Sequence, residues 1–600
     1  MISKLSFQRI VLIFLAAAVP STAGAKDRQG CTLGQVAELH VTMEGASPMV
    51  EAKVGGEPAR FIVDTGAFFS LVTPRAAEKF KLKPIAGLEG LSLRGAVGST
   101  AARGGNAASF VLDRVELKKV DFLIAGDDLG EADGLLGQNI LGQMDVEYDL
   151  ANGVVRIFQP QGCEKAVLAY WAGQTPYSIV PIARTTPAEP HIVADARVNN
   201  LPIKVIFDTG AGRSVLKLSA AVRAGASVQD DEASVGEVAR GIGRRSTDSY
   251  ILPFDAFSVG DETIQKTRLR VAKYDFSGGD MLLGADFFLS HRVLVSPSQR
   301  RLYFTYNGGP VFRLDEPADR SGRTETAQPA VDPPAIVDAG ALARRAAASA
   351  ARRDYASAIA DLDRAIALQP SNPELFLDRA EAHLGAEDPA AAKADLDQAL
   401  KLRPEFPQAL LLRGYMHLKL QELAKADADF GLALKVAPDK PALGLQIAAL
   451  YTGANRFEQA VAHYDAWIAA NPKSFNLDDA LNGRCWARAL WGRQLDQALA
   501  DCDRALRKGS KLAGVLDSRG MVRLRRGEFE AAIADYDAAL KLQPKLAWSL
   551  YGRGLAKLKR GDAAGGAADI QAAEALAPEI TERTKQLGLT EASVVVAGAS

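Results

Sequence analysis

One stretch of text occurs twice in this chain, and that duplication limits its possible folds more than any bulk property does. Glu51-Ala52-Lys53-Val54-Gly55-Gly56-Glu57-Pro58 lies over Asp195-Ala196-Arg197-Val198-Asn199-Asn200-Leu201-Pro202 at an offset of 144 residues, charge on charge, turn on turn and proline on proline. The same offset sets Phe61-Ile62-Val63-Asp64-Thr65-Gly66-Ala67 over Val205-Ile206-Phe207-Asp208-Thr209-Gly210-Ala211. A second matched pair follows downstream, Gly134-Leu135-Leu136-Gly137-Gln138-Asn139-Ile140-Leu141 and Met281-Leu282-Leu283-Gly284-Ala285-Asp286-Phe287-Phe288-Leu289. Short β-branched and aromatic runs broken by glycine, proline and asparagine read as strands. Each half therefore reads as strand, tight turn, strand, Asp-Thr-Gly loop, more strands, and an apolar strand ending at glycine before a short helix. Two duplicated β-rich lobes are expected, over residues 35–165 and 175–308.

The rest of the chain has a different grammar. Residues 309–337 are rich in Pro, Asp, Arg, Thr and Ala and poor in large apolar side chains, the composition of a mobile linker. From Asp338 the alanine, leucine and charge pattern is helical, and Pro370, Pro404, Pro438 and Pro472 recur at intervals of 34 residues, as do Pro544 and Pro578. Thirty-four residues is the period of tetratricopeptide repeats, helix pairs with small residues where the helices cross. Those residues are Ala346, Ala358 and Ala365, then Ala380, Ala392 and Ala399, then Gly414, Ala426 and Ala433, and later Gly520, Ala532 and Ala539. A repeat around Ala498 and Ala505 starts about four residues late and lacks the proline. About seven repeats are expected over residues 338–585, followed by a tail at 586–600, giving an all-β bilobal domain before an all-α solenoid.

Two copies of Asp-Thr-Gly-Ala, each after an apolar strand and each followed some 70 residues later by an apolar-apolar-glycine triplet, resemble the retropepsin-like (retroviral-type) aspartic peptidases. In that family one aspartate comes from each lobe, and the resemblance covers residues 45–305. It implies that Asp64 and Asp208 hold a water between them, activate it against a peptide carbonyl and protonate the departing amine, with no metal or cofactor. Two carboxyl groups about 3 Å apart cannot both ionise cheaply, so they share a proton and one serves as base while the other serves as acid. The resemblance further implies that Thr65 and Thr209 hydrogen-bond across the lobe interface. Gly66 and Gly210 would let backbone amides approach the carboxylates. Leu136-Gly137 and Leu283-Gly284 would pack beneath the active loops. A substrate-covering hairpin is expected in each lobe, with Gly241-Ile242-Gly243 as one tip and the stretch from Gly95 to Gly98 as a looser counterpart. Phe68 and Phe69 depart from the family pattern, where a small or polar residue follows, and no tyrosine sits at a flap position. Retroviral enzymes build their site between two identical chains, whereas this duplication lets one chain supply both halves.

Composition narrows the remaining possibilities. A net charge of -1 removes the electrostatic case for nucleic acid, and 600 residues exceed what one hydrophobic core accommodates. Lys4 and Arg9 precede an apolar run from Ile10 to Val19 and the small residues Ala23-Gly24-Ala25, the pattern of a secretory signal over residues 1–25. Its run of about ten residues is short for a spanning helix, which needs roughly 20, so no membrane anchor is expected after cleavage. Export across the inner membrane of a bacterium to the periplasm follows. Four cysteines fall as Cys31 with Cys163 and Cys485 with Cys502, each pair bracketing one unit. An oxidising compartment favours two bridges over four separate buried thiols.

His40, His191, His291, His383, His417 and His463 show no metal-ligand spacing and read as surface or packing residues. Arg344-Arg345 and Arg352-Arg353 read as solvated helix faces. Two functional readings follow. In one, the chain is an aspartic endopeptidase acting on a peptide or protein substrate, with the repeats recruiting that substrate or a protein partner. In the other, it is a catalytically inactive peptide-binding or scaffold protein acting through the repeats.

Overall fold

The computed structural model describes residues 30–312 and 338–590, apart from 89, 96–98, 127–128, 131, 184–190, 231–232, 236–238, 241–245, 248, 275, 277, 310, 439, 473, 475 and 508–512. The signal segment, most of the linker and the end of the tail lie outside the described residues, as do Gly98, Gly241, Ile242 and Gly243.

Alternation builds the lobes. Along Ser47–Val54 the side chains of Val50, Ala52 and Val54 are buried while Glu51 and Lys53 face solvent, the period-two pattern of a half-buried strand. Gly55 and Gly56, both at positive φ, turn this strand antiparallel onto Glu57–Val63. Asn199 and Asn200 do the same between Val193–Val198 and Leu201–Phe207, using the short polar side chains that tolerate left-handed backbone. In each lobe the second hairpin strand then runs parallel to the apolar triplet strand, with Val63 opposite Leu136 and Phe207 opposite Leu283. Phe61, Phe110 and Phe122 form the aromatic centre of the first lobe, with centroids 5.6–5.9 Å apart. Phe207, Phe287 and Phe288 do so in the second, at 5.7–6.2 Å.

A sheet shared between the lobes sets their relation. Asp145–Asp149 pairs antiparallel with His291–Ser296, placing Val146 opposite Val295 and Tyr148 opposite Val293. The sheet extends on one side through Val154–Gln161 to Thr32–Glu44, and on the other through Arg301–Tyr306 to Ser178–Pro181. Buried Glu147 sits within it between Arg156 at 2.7 Å and Arg292 at 2.9 Å, a charge held by two partners. The Cys31–Cys163 disulfide ties the start of Thr32–Glu44 to the end of Val154–Gln161.

The helical part contains seven antiparallel pairs among the described residues, from Ala339–Ala351 with Tyr355–Leu368 to Ala547–Lys559 with Ala563–Leu576, followed by Ile580–Gln586. Small residues sit where the helices cross: Ala346, Ala358 and Ala365 are buried, and a side chain at Gly414 would meet the Phe430 ring. The Cys485–Cys502 disulfide joins Leu477–Trp491 to Leu495–Arg507 in the irregular repeat.

An arginine ladder runs through this array. Arg379 grips Asp395 in its own repeat through Nε at 2.8 Å and Nη2 at 2.6 Å, and reaches Asp363 of the preceding repeat at 2.6 Å. Arg413, Arg484, Arg519 and Arg553 repeat this double grip on Asp429, Asp501, Asp535 and Asp569. Arg345 is the first rung, bound to Asp361, so it does not sit on a solvated helix face. Nor do Arg344, which packs over Gly153, and Arg352, which donates to the Leu289 carbonyl at 3.1 Å, whereas Arg353 is exposed. The charge pattern at these positions reflects contacts to an adjoining helix and to the lobes, which a reading of one helix at a time does not register.

Among the described residues, the array meets the lobes in two regions. Helix Ala339–Ala351 packs against Thr32–Glu44 and the turn Leu150–Asn152. Some two hundred residues later, Lys545 donates to the carbonyls of Asp230 and Ala233 at 2.9 and 2.6 Å, and the Tyr250 hydroxyl donates to the Leu542 carbonyl.

Candidate active site

Each Asp-Thr-Gly loop leaves its strand still anchored to the triplet strand. Asp64 N–H donates to Leu136 O at 3.0 Å, and Asp208 N–H donates to Leu283 O at 2.8 Å. The loop then folds back on its own carboxylate. Gly66 and Ala67 N–H donate to Asp64 Oδ1 at 2.9 and 2.8 Å, and Gly210 and Ala211 N–H donate to Asp208 Oδ1 at 3.0 and 3.1 Å. Each glycine is required by the opposite lobe. A Cβ on Gly66 would run into the Asp208 carboxyl, and one on Gly210 into that of Asp64.

The two threonines are fully buried and form a closed exchange across the interface. Thr65 Oγ1 donates to Phe207 O at 2.8 Å and accepts from Thr209 N–H at 2.9 Å. Thr209 Oγ1 donates to Val63 O at 2.6 Å and accepts from Thr65 N–H at 3.1 Å. Every polar group in the exchange is satisfied, as burial demands.

Asp64 and Asp208 are hydrogen-bonded to each other and half-buried. Burial first, then the charge of Asp208, holds the Asp64 carboxyl well above the usual carboxylate range. Burial also raises Asp208, opposed by its hydrogen bonds from Asp64 and from the backbone amides. Such a pair retains one proton to a higher pH than either group would alone.

Beneath each loop a serine links it to the helix after the triplet. Ser70 Oγ donates to Asn139 Oδ1 at 2.8 Å and accepts from Gly137 N–H at 3.0 Å. Ser214 Oγ donates to Asp286 Oδ1 at 2.6 Å and accepts from Gly284 N–H at 2.9 Å. Gln138 Nε2 adds a bond to Thr65 O at 3.1 Å. Leu136 and Leu283 are fully buried there, and a side chain on Gly137 or Gly284 would collide with the loop backbone. Sequence reasoning quoted Asn139 and Asp286 but gave them no role; their shared position after each triplet, opposite Ser70 and Ser214, is the signal that marks them.

The expected covering hairpins are bracketed by paired strands: Arg94 opposite Ser99 in the first lobe, and Arg240 opposite Ser246 in the second. Gly95 is described at the end of the first, while the other tip residues are outside the described set. Two residues that sequence reasoning missed do border the site. Tyr274 lies close enough to feel the Asp208 charge, and burial pushes its hydroxyl up to about 12. His191, read as a surface or packing residue, places Nε2 at 3.0 Å from Gly66 O.

Two duplicated lobes thus each bring one carboxyl group to a shared site, locked by paired threonines. The aspartyl protease family matches residues 50–140 and 194–287, one segment in each lobe. Tetratricopeptide repeat families match residues 345–417 and 520–561. The chain thus carries an aspartyl protease domain in two segments, followed by tetratricopeptide repeats. No curated protein matches it. Among solved structures it is similar to a tetratricopeptide repeat protein from Parabacteroides merdae, with 19% identity, 42% of this chain and 98% of that one covered, and a TM-score of 0.36. It is also similar to yeast Tom70, with 22% identity, 42% and 53% coverage, and a TM-score of 0.31. A third is PilW, a type IV pilus biogenesis factor, with 21% identity, 36% and 99% coverage, and a TM-score of 0.31.

Proposed function

We propose that the protein is an aspartic endopeptidase whose two catalytic carboxyl groups come from one chain. The observation that carries this reading is the hydrogen-bonded Asp64–Asp208 pair, raised by burial and held symmetrically by four backbone amides. With one proton shared between them, the ionised carboxylate takes a proton from a water as its oxygen attacks the peptide carbonyl. The protonated partner donates to the carbonyl oxygen. As the tetrahedral intermediate collapses, the carboxyl that took the water's proton passes it to the amine nitrogen, which leaves, while a hydroxyl of the gem-diol returns its proton to the other carboxylate, so the dyad again holds one shared proton. Thr65 and Thr209 hold the lobes in register, and Ser70 with Asn139 and Ser214 with Asp286 hold the loops against the triplets.

The tetratricopeptide array recruits the substrate or a protein partner, a role that fits its repeat architecture. Two disulfides are formed, and no helix among the described residues is long and apolar enough to cross a membrane. With the signal pattern, the disulfides support an extracytoplasmic, periplasmic location.

The test is cleavage of a mixed peptide library from acid to neutral pH, with Asp64→Asn and Asp208→Asn variants and a statine-type inhibitor. Loss of cleavage in each variant and under the inhibitor supports the dyad. A folded wild type that cleaves nothing makes the lobes a peptide-binding module.

A further inference from the structure

His191 stands where the pseudo-symmetry of the lobes breaks. It immediately precedes Ile192, whose carbonyl accepts from Phe207 N–H at 3.0 Å, so its backbone is fixed to the strand that delivers Asp208. Its side chain crosses to the other lobe. The ring packs on Phe68 at a centroid distance of 4.2 Å, and Nε2 lies 3.0 Å from the Gly66 carbonyl. A carbonyl can only accept, so Nε2 carries the proton in this contact.

The duplicate position lacks all of this. By the 144-residue offset, Phe68 corresponds to Gly212 and His191 to Ser47. There, small Ala46 fills the space against Gly212. The aromatic residue that departs from the family pattern in the first lobe is therefore matched by an aromatic partner from the second.

The bonded carbonyl is part of the site itself. The Gly66–Ala67 peptide accepts from His191 at one end and, at the other, donates Ala67 N–H to Asp64 Oδ1 at 2.8 Å. Hydrogen bonds in series polarise one another, so a donor on the carbonyl strengthens and orients the amide that holds the carboxylate. We infer that His191 is a positioning residue for Asp64: it braces the Gly66–Ala67 peptide from across the lobe interface and so makes the two aspartates inequivalent. This inference rests on the peptidase reading for its kinetic consequence, and on the contact alone for its structural one.

Three forms of the full chain separate the contributions. His191→Phe keeps a ring on Phe68 but removes the donor, and His191→Gln supplies an amide donor at similar reach without the ring. For His191→Phe we expect kcat to fall roughly tenfold while KM stays within about twofold, because an orienting contact is lost and a binding contact is not. His191→Gln should recover most of that loss. Hydrogen exchange over residues 64–69, read by mass spectrometry, should quicken in the Phe variant and return in the Gln variant. Wild-type kcat in His191→Phe overturns the inference, as does a Gln variant no better than Phe. If the wild type shows no cleavage that Asp64→Asn removes, it is the peptidase reading that fails. The brace is then decided by exchange alone, and an unchanged rate over residues 64–69 in the Phe variant overturns it.

Discussion

At the scale of single residues, the site depends on buried groups paired across the lobe interface. Replacing Thr209 by valine keeps the volume but leaves Thr65 N–H and Val63 O buried without their bonds, which costs about 2–4 kcal/mol. The expected outcome for Thr209→Val is a lower melting temperature of the peptidase domain together with loss of cleavage, measured by calorimetry and peptide assay. The dyad has the opposite stability sign. Asp64 is held above the ordinary aspartate value of 3.8, so the folded state binds more protons than the unfolded one between that value and the raised one. Stability is therefore greatest below the unfolded value and falls as pH rises through this window. Asp64→Asn removes the penalty, so the variant should melt higher than wild type at neutral pH, with the difference vanishing near pH 3; a gap that is the same at both pH values contradicts this assignment. The aspartates, threonines and glycines were legible in the sequence because duplication repeats them at one offset. His191 was not, since the duplicate position holds Ser47 and the contact joins residues 125 apart.

At the scale of elements, the array is a ladder as much as a stack of apolar faces. Arg413→Ala leaves Asp429, nearly buried, without its double grip. Allowing for the partial exposure of Arg413, the loss is about 2–3 kcal/mol, and urea denaturation of the array should show it. Changing Asp429 to leucine as well should recover part of that loss, because the stranded charge is gone. The ladder skips the fourth repeat, where Ile447 stands in the arginine register and Tyr451 instead bonds Asp427 and stacks on His463. The disulfide in the next repeat closes a loop with a separation of 17 residues, and such a constraint contributes about 3 kcal/mol. Cys485→Ala with Cys502→Ala should accordingly lower the melting temperature of the array while leaving the peptidase lobes unchanged. The 34-residue period is plain from prolines and alanines, and the arginines at 345, 379 and 413 share it, yet Arg345 reads as solvated and the other two draw no notice. Their partners sit on an adjacent helix, where a pattern read along a single helix does not show them.

At the scale of the whole molecule, the sequence implied two lobes and an array but not how they join. The shared sheet pairs Asp145–Asp149 with His291–Ser296, segments whose texts do not resemble a hairpin and whose meeting depends on both lobes being folded. The contact of Lys545 with the carbonyls of Asp230 and Ala233 is equally tertiary. Lys545→Ala should speed hydrogen exchange around Asp230 and Ala233 without altering the dyad, whereas unchanged exchange there means that the contact contributes little. Because both halves of the site lie in one chain, activity must not depend on exchange of partners between molecules. The decisive measurement is the initial rate of peptide cleavage by the wild type, by Asp64→Asn, by Asp208→Asn and by an equimolar mixture of the two variants. An intramolecular dyad requires the wild type to cleave and both variants and their mixture to fall by about a thousandfold or more. Recovery of activity in the mixture, or normal cleavage by either variant alone, would contradict it.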